Sequence, residues 1–283
     1  MTIGFIGTGN MGGAILKGYC KSQAAEGQRI LIHNRTTERN VEMATAIRNA
    51  LDRAKSAGVI SNGPEVEICN DNRTLAEESN MVIIGVEPKD VKAVLEEIKP
   101  YSGVVVSMAA GVDIKSMAEV LGSDAKIIRI MPNTPAQVGE AMTSMSRNGN
   151  VNNEEFEKAR KVFEAIGKVE EVSEDMIHCV IGVSGSSPAY TYMYIGALME
   201  AAIAEGMSEA KARTFAAQAV LGAAKVVLEG NISPDQLTKN VCSPGGATIE
   251  AVITLKDSGF EEIVQKAFGA AVSRSREMTG AKE

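Results

Sequence analysis

The chain has 283 residues, a formal net charge of −7, 45% apolar residues and 23% charged residues. That length suits one large domain or two ordinary ones, and the composition is globular rather than disordered. The negative charge argues against nucleic acid or an acidic membrane surface as partner, and no uncharged apolar run is long enough to span a bilayer.

Met1-Thr2-Ile3-Gly4-Phe5 leads straight into a strand pattern, with no basic segment ahead of an apolar one, so no secretory signal is expected. Cys20, Cys69, Cys179 and Cys242 are scattered, and only His33 and His178 accompany them. The expectation is no metal site and four reduced thiols in a cytoplasm.

Apolar runs then alternate with helical patterns as far as about residue 172. The runs are Ile3 to Ile6, Ile30 to Ile32, Val66 to Cys69, Met81 to Ile84, Val104 to Val106 and Ile127 to Ile130; Val91 to Ile98 and Ile114 to Leu121 are helix-like. Such alternation predicts an α/β, Rossmann-type, doubly wound domain over residues 1–172. From Ser186 onward the chain is rich in Ala, Gly, Met and Leu at helical spacing, as in Tyr194 to Met199 and Ala216 to Leu228. Ser233-Pro234-Asp235-Gln236 reads as a helix start with Ser as N-cap, Pro at the first helical position and Gln for a capping box. A second, all-α domain is expected over 173–283. Its helices are apolar on more than one face, which calls for a partner subunit; a compact Ala-rich bundle is the alternative.

The first strand runs into Gly7-Thr8-Gly9-Asn10-Met11-Gly12 and a helix, the context that gives a Gly-x-Gly-x-x-Gly pattern meaning. Gly7 permits the tight turn, Gly9 admits a pyrophosphate, and Gly12 lets helix and strand approach. The helix N-terminus offers amides and dipole to phosphate. After the second strand, Asn34-Arg35-Thr36 contains no acid for ribose hydroxyls. A guanidinium and hydroxyls suit a 2′-phosphate, so NADPH is expected over NADH, with NADH possible; otherwise Arg35 is a solvated charge. The small residues of Ser107-Met108-Ala109-Ala110-Gly111 would let a flat ring approach the backbone. Asn133, in Met131-Pro132-Asn133-Thr134-Pro135, either binds the nicotinamide carboxamide or makes an Asx turn.

The most specific segment is Ser243-Pro244-Gly245-Gly246-Ala247-Thr248, which breaks the chain just before a new helical pattern. Amides at that helix start suit a small carboxylate, and the Thr248 hydroxyl can donate or accept. A plain helix–helix turn accounts for the glycines but not for the hydroxyls.

Together with Met108 to Val112, Met131 to Ala136 and Ser184 to Tyr190, these motifs resemble the pyrroline-5-carboxylate reductases over nearly the whole chain. The resemblance implies a Rossmann domain followed by a helical dimerisation domain whose helices interleave between subunits, with the active site completed by the partner. It implies reduction of L-1-pyrroline-5-carboxylate to L-proline with NAD(P)H, the last step of proline biosynthesis. By that pattern Thr8, Asn10, Met11, Asn34, Asn72, Val86, Pro88, Ala109 and Asn240 touch the cofactor. Glu174, Ala247 and Thr248 line the substrate site by the same pattern; from the residues themselves, Gly245 and Gly246 join the substrate-binding segment and the Thr248 hydroxyl is the catalytic candidate. Several positions depart from the pattern: Glu87 stands in place of a lysine, Ser187 in place of a glycine, His178 and Ile181 replace Asp and Thr, and the segment from Thr36 to Asn70 is long.

Other readings remain open. A β-hydroxyacid dehydrogenase needs a lysine acid/base early in the helical domain, and Gly182 to Glu209 contains none. An NADP-sensing binding protein would not need the Ser243–Thr248 segment. A reductase of a six-membered cyclic imine differs by one methylene, worth only about 1–3 kcal/mol of discrimination.

Overall fold

A computed structural model describes residues 1–279. Among the described residues two compact units are present: Met1–Gly185 together with residues 271–279, and Ser186–Ala270. The sequence places its boundary at 172/173, where the sheet has just ended at Glu171; the compact units instead divide after a widened helical turn at Ile181–Gly185.

In chain order the first unit contains β1 (Thr2–Ile6), α1 (Asn10–Cys20), β2 (Arg29–His33), α2 (Thr37–Ser56), β3 (Glu65–Ile68), α3 (Asn72–Glu77), β4 (Met81–Ile84) and α4 (Pro88–Ile98). Then follow β5 (Val104–Ser107), α5 (Ile114–Leu121), β6 (Lys126–Met131), β7 (Ala141–Arg147), α6 (Asn153–Glu164), β8 (Gly167–Glu171) and the short α7 (Ile177–Val180). All six strands read from the sequence are present. The long segment after Thr36 is accounted for mainly by α2, a helix of 20 residues.

The eight strands form one sheet in the order β3-β2-β1-β4-β5-β6-β7-β8. The sheet is parallel from β3 through β6, but β7 runs antiparallel to β6 and β8 parallel to β7. Alternate side chains bury on opposite faces, as pleating requires. Ile3, Phe5, Ile30, Ile32, Ile83 and Val106 pack beneath α1 and α6. Ile6, Leu31, Val82, Ile84 and Val105 pack beneath α3, α4 and α5. The strand order reverses between β1 and β4, and such a switch point opens a crevice at the carboxyl ends of the strands.

The second unit is helical: α8 (Ser187–Ala204), α9 (Glu209–Glu229), α10 (Pro234–Val241), α11 (Ala247–Asp257) and the first part of α12 (Phe260–Met278). Ser233 caps α10 by accepting from the Gln236 amide at 3.3 Å. The reciprocal half of the expected capping box is replaced, because the Gln236 side chain donates to Asn240 at 2.9 Å. Ala212 and Ala216 of α9 are buried, whereas α8, α10 and α11 bury none of their residues. Met193, Phe215, Leu228 and Val241 are each more than 60% exposed. Apolar helices left in water to this degree mark an association surface. The full-length chain is therefore expected to be at least a dimer by light scattering, and a stable monomer at working concentrations would overturn this reading.

Candidate active site

A cleft of about 1700 Å³ lies over the carboxyl ends of β1, β2 and β4. The turn after β1 is held by the Gly7 amide, which donates to the His33 carbonyl at 2.9 Å. Gly7 has φ +83°, and a Cβ there would meet Val86 at 2.6 Å. A Cβ on Gly12 would lie 2.5 Å from the Gly7 carbonyl oxygen, so α1 and β1 approach backbone to backbone. Gly9 differs: it is the N-cap of α1, no side chain caps the helix there, and a Cβ on it would meet nothing within 4 Å. That open face, beside the uncapped amides of an eleven-residue helix, fits the pyrophosphate of a dinucleotide.

Of the residues expected at the cofactor, Gly7, Thr8, Gly9, Asn10, Asn34, Arg35, Thr36, Asn72 and Val86 line this cleft. Arg35 and Thr36 are exposed on its rim, whereas Asn34 is buried. The Asn34 side chain accepts from the Thr8 amide at 2.6 Å and donates to the Thr8 hydroxyl at 2.8 Å. Its polar atoms are thus committed to the fold. Asn72 donates to Glu97 at 2.6 Å, while its buried Oδ1 has no partner. Met11 instead packs against the core beneath α1, and Pro88 opens α4. Arg39 joins Arg35 on the cleft, as do Lys17, Lys21 and Lys89, none of which belongs to a recognisable motif. Arg39 follows Arg35 by four residues, a spacing that brings side chains together on a helix, but Arg35 itself precedes α2.

Glu87, the acid found where a lysine is usual, pairs with Lys89 at 2.6 Å. The hydrogen bond from Lys89, its charge and then the charge of Arg35 hold the Glu87 carboxyl below the usual range. A cation therefore remains at this rim, two positions along the chain.

Ala109 and Ala110 follow the end of β5; Ala109 is buried, and neither lines the cleft. Asn133 is also placed differently from the expectation. Its amide nitrogen donates to the Ser184 carbonyl at 2.9 Å and its oxygen accepts from the Met142 amide at 2.9 Å. Both ends of the carboxamide brace the fold, tying β7 to the π-helical turn Ile181–Gly185. That widened turn disrupts the regular helical ladder and makes room for an outside donor.

Glu174 sits just before α7. One oxygen, Oε1, accepts from the Ile114 amide at 2.8 Å and from Arg129 Nη1 at 2.9 Å. Arg129 is 2% exposed, and its Nε and Nη2 have no partner. His178, one turn beyond, contacts the Ser275 hydroxyl at 2.8 Å. Burial, then the charges of Arg129 and Arg276, push its imidazole below the usual range.

In the second unit, Gly245 has φ +68° and turns the chain into α11. The Gly246 amide donates to the Ser243 carbonyl at 3.0 Å. The amides at this helix start that could face a small carboxylate are those of Gly246, Ala247 and Thr248. Gly246 drops out of that set because its hydrogen is already spent, whereas Ala247 and Thr248 form the first turn of the helix. Thr248 is exposed, as is Asn240 near the end of α10.

A family model described as NADP oxidoreductase coenzyme F420-dependent matches residues 2–111, and one described as pyrroline-5-carboxylate reductase dimerisation matches residues 174–278. The pyrroline-5-carboxylate reductase of Escherichia coli strain K12 is 39% identical over 280 residues, covering 98% of each chain. The chain belongs to the pyrroline-5-carboxylate reductase family. A solved structure of the Coxiella burnetii enzyme of this family aligns with a TM-score of 0.81 at 33% identity, covering 98% of each chain. The Plasmodium falciparum enzyme, solved with NADP bound, aligns with a TM-score of 0.80 at 27% identity, over 99% of this chain and 98% of its own. Among the described residues no helix is long and apolar enough to cross a membrane.

The Glu174–Arg129 pair has a consequence for stability. Removing the carboxylate takes the ion-pair partner from a buried guanidinium, a change on the order of 3 kcal/mol. Glu174→Ala is accordingly expected to lower the thermal midpoint well beyond what an exposed glutamate would. A melt within a degree of wild type would show that the ion pair carries no weight.

Proposed function

We propose that the protein reduces L-1-pyrroline-5-carboxylate to L-proline as the last step of proline biosynthesis, using NADPH in preference to NADH. The observation that carries this reading is the kinship along 98% of the chain to an enzyme named for that substrate. It is supported by a cleft whose Gly9 face is open and whose rim carries Arg35 and Arg39 without a ribose-binding acid at 34–36. The nicotinamide, when bound, supplies the hydride. Everything else falls to side chains and amides of the protein.

The α1 amides hold the pyrophosphate. Arg35, Arg39 and the Thr36 hydroxyl hold the 2′-phosphate, and Asn72 belongs to the lining of the same cleft. The amides of Ala247 and Thr248, favoured by the dipole of α11, take the substrate carboxylate. The Thr248 hydroxyl bonds the ring nitrogen and holds the imine in its protonated, hydride-accepting form. Orientation of this kind is worth about 7–11 kcal/mol at best, and one positioned polar contact about 3–4 kcal/mol. Glu174 is counted with the substrate-binding residues on the family resemblance, and its Oε1 is already spent on Ile114 and Arg129. The working form is a homo-oligomer in the cytoplasm.

The decisive assay follows NADPH oxidation with pyrroline-5-carboxylate beside its six-membered homologue. Turnover of the five-membered imine is expected to be the faster, and the reverse order would reassign the substrate. Arg35→Ala should raise the KM for NADPH severalfold and leave that for NADH nearly unchanged. Equal damage with both cofactors would make Arg35 structural.

Thr248→Ala should fold normally, because the side chain is exposed, and should lower kcat by about ten- to a thousandfold. Thr248→Ser should retain much of the activity. A folded Thr248→Ala variant with wild-type kcat would remove the hydroxyl from the chemistry.

A further inference from the structure

Asn40 is 4% exposed, belongs to the first turn of α2, and does not line the cleft. Asparagine is a poor helix former and is rarely buried without a reason. The structure supplies one. Asn40 Oδ1 accepts from the Asn34 backbone amide at 2.7 Å and from the Asn34 side-chain amide at 2.9 Å. Its own Nδ2 returns to the Asn34 carbonyl at 3.3 Å. The carboxamide therefore grips both backbone groups of Asn34 and its side chain at once.

The orientation of both carboxamides, of Asn40 and of Asn34, is forced. A backbone N–H can only donate, so the Asn40 atom facing the Asn34 amide must be oxygen. That oxygen selects the nitrogen end of the Asn34 side chain, which turns the Asn34 oxygen toward Thr8. There it meets a second obligate donor, the Thr8 amide, at 2.6 Å. Two backbone donors, one on each glycine-flanked or ribose-flanking turn, thus fix the same arrangement from opposite ends. Reversing either carboxamide would oppose donor to donor.

We propose that Asn40 is a positioning residue for the dinucleotide site, acting through Asn34 to hold Thr8, so that the Gly9 face and the α1 amides stay open to phosphate while the Arg35 turn stays beside them. This rests on the nicotinamide-cofactor reading above. It deepens that reading by naming a buried group that couples the phosphate turn to the ribose turn without touching ligand. Because Asn40 acts on the shared part of the site, its loss should weaken NADPH and NADH by the same factor, unlike the loss of Arg35.

The test is fluorescence titration of the full chain with NADPH and with NADH, which needs no substrate and so remains readable even if imine reduction fails. Asn40→Ala is expected to raise both dissociation constants by a common factor of about ten, the scale of one net buried hydrogen bond to a charge-free partner. At saturating cofactor, kcat and the KM for the imine should stay within twofold. Asn40→Asp keeps the accepting oxygen but sets its second oxygen against the Asn34 carbonyl, so the NADH constant should recover in part, to a value several-fold above wild type and below that of Asn40→Ala. This second variant also serves if Asn40→Ala does not fold. Unchanged cofactor binding in a folded Asn40→Ala variant would overturn the proposal. So would a loss confined to NADPH, a matching loss in kcat, or an Asn40→Asp variant that binds NADH no better than Asn40→Ala.

Discussion

The close approach of three backbone segments around the Gly7 carbonyl is the constraint on which the site depends. The Gly7 oxygen faces Gly12 on α1 and Gly85 after β4, and a Cβ on either glycine would collide with it. At the same level the Gly85 amide donates to the Ile6 carbonyl at 2.8 Å and the Gly7 amide to His33 at 2.9 Å. Three strand ends and a helix start are therefore drawn into one edge. Side chains at Gly7, Gly12 or Gly85 would force these segments apart and misalign the α1 amides with the rest of the cleft. The apolar faces under the sheet stabilise the fold, but this edge decides where a ligand can lie.

Around that edge, buried polar groups divide into two kinds. Asn34, Asn40 and Asn133 are bonded by short, mutually consistent contacts to backbone groups. Such groups specify a geometry, since each unmet partner would cost about 1–3 kcal/mol. Arg129 is different. It is an ion held under the sheet with Nε and Nη2 unpaired and with Glu174 as its ion-pair partner. A buried ion pair of this form is weak evidence for net stabilisation, though breaking it is costly. What the pair does accomplish is to fix Glu174 Oε1 against the start of α5, leaving the other carboxylate oxygen for use elsewhere.

Most of the strands legible in the sequence are those covered on both faces, β3 with its partly exposed residues being the exception. β1, β2, β4, β5 and β6 read as near-continuous apolar runs because both sides of each strand are buried. β7 and β8 carried no such signal. β7 buries Thr143, Ser144 and Ser146, and β8 buries only Val169. Between them α6 begins with a complete capping box, Asn152 with Glu155, a start signal that the apolar pattern alone does not reveal. In the site, glycine spacing located the phosphate turn because the backbone conformation itself demands glycine. Asn133 and Asn40 could not be assigned in that way. Their partners, on Ser184 and Met142 for one and on Asn34 for the other, are mainly backbone groups, and a backbone group leaves no trace of its position in residue identity.

Bulk charge is likewise a poor guide to this cleft. A net charge of −7 would discourage an anionic ligand if it acted uniformly. Over distances beyond about 10 Å salt screens it, so the groups at the rim govern. There Arg35 and Arg39 stand on the ribose side, while Glu87, the acid nearest in sequence to the β4 turn, is paired with Lys89. Both members of that pair are more than two-thirds exposed, so it is worth little as a bond. Its effect is local neutralisation: Lys89 offsets the acid that would otherwise face Arg35. The exchange of lysine for glutamate at position 87 thus moves a cation along the rim without removing it, and the arginines keep a field suited to a phosphate.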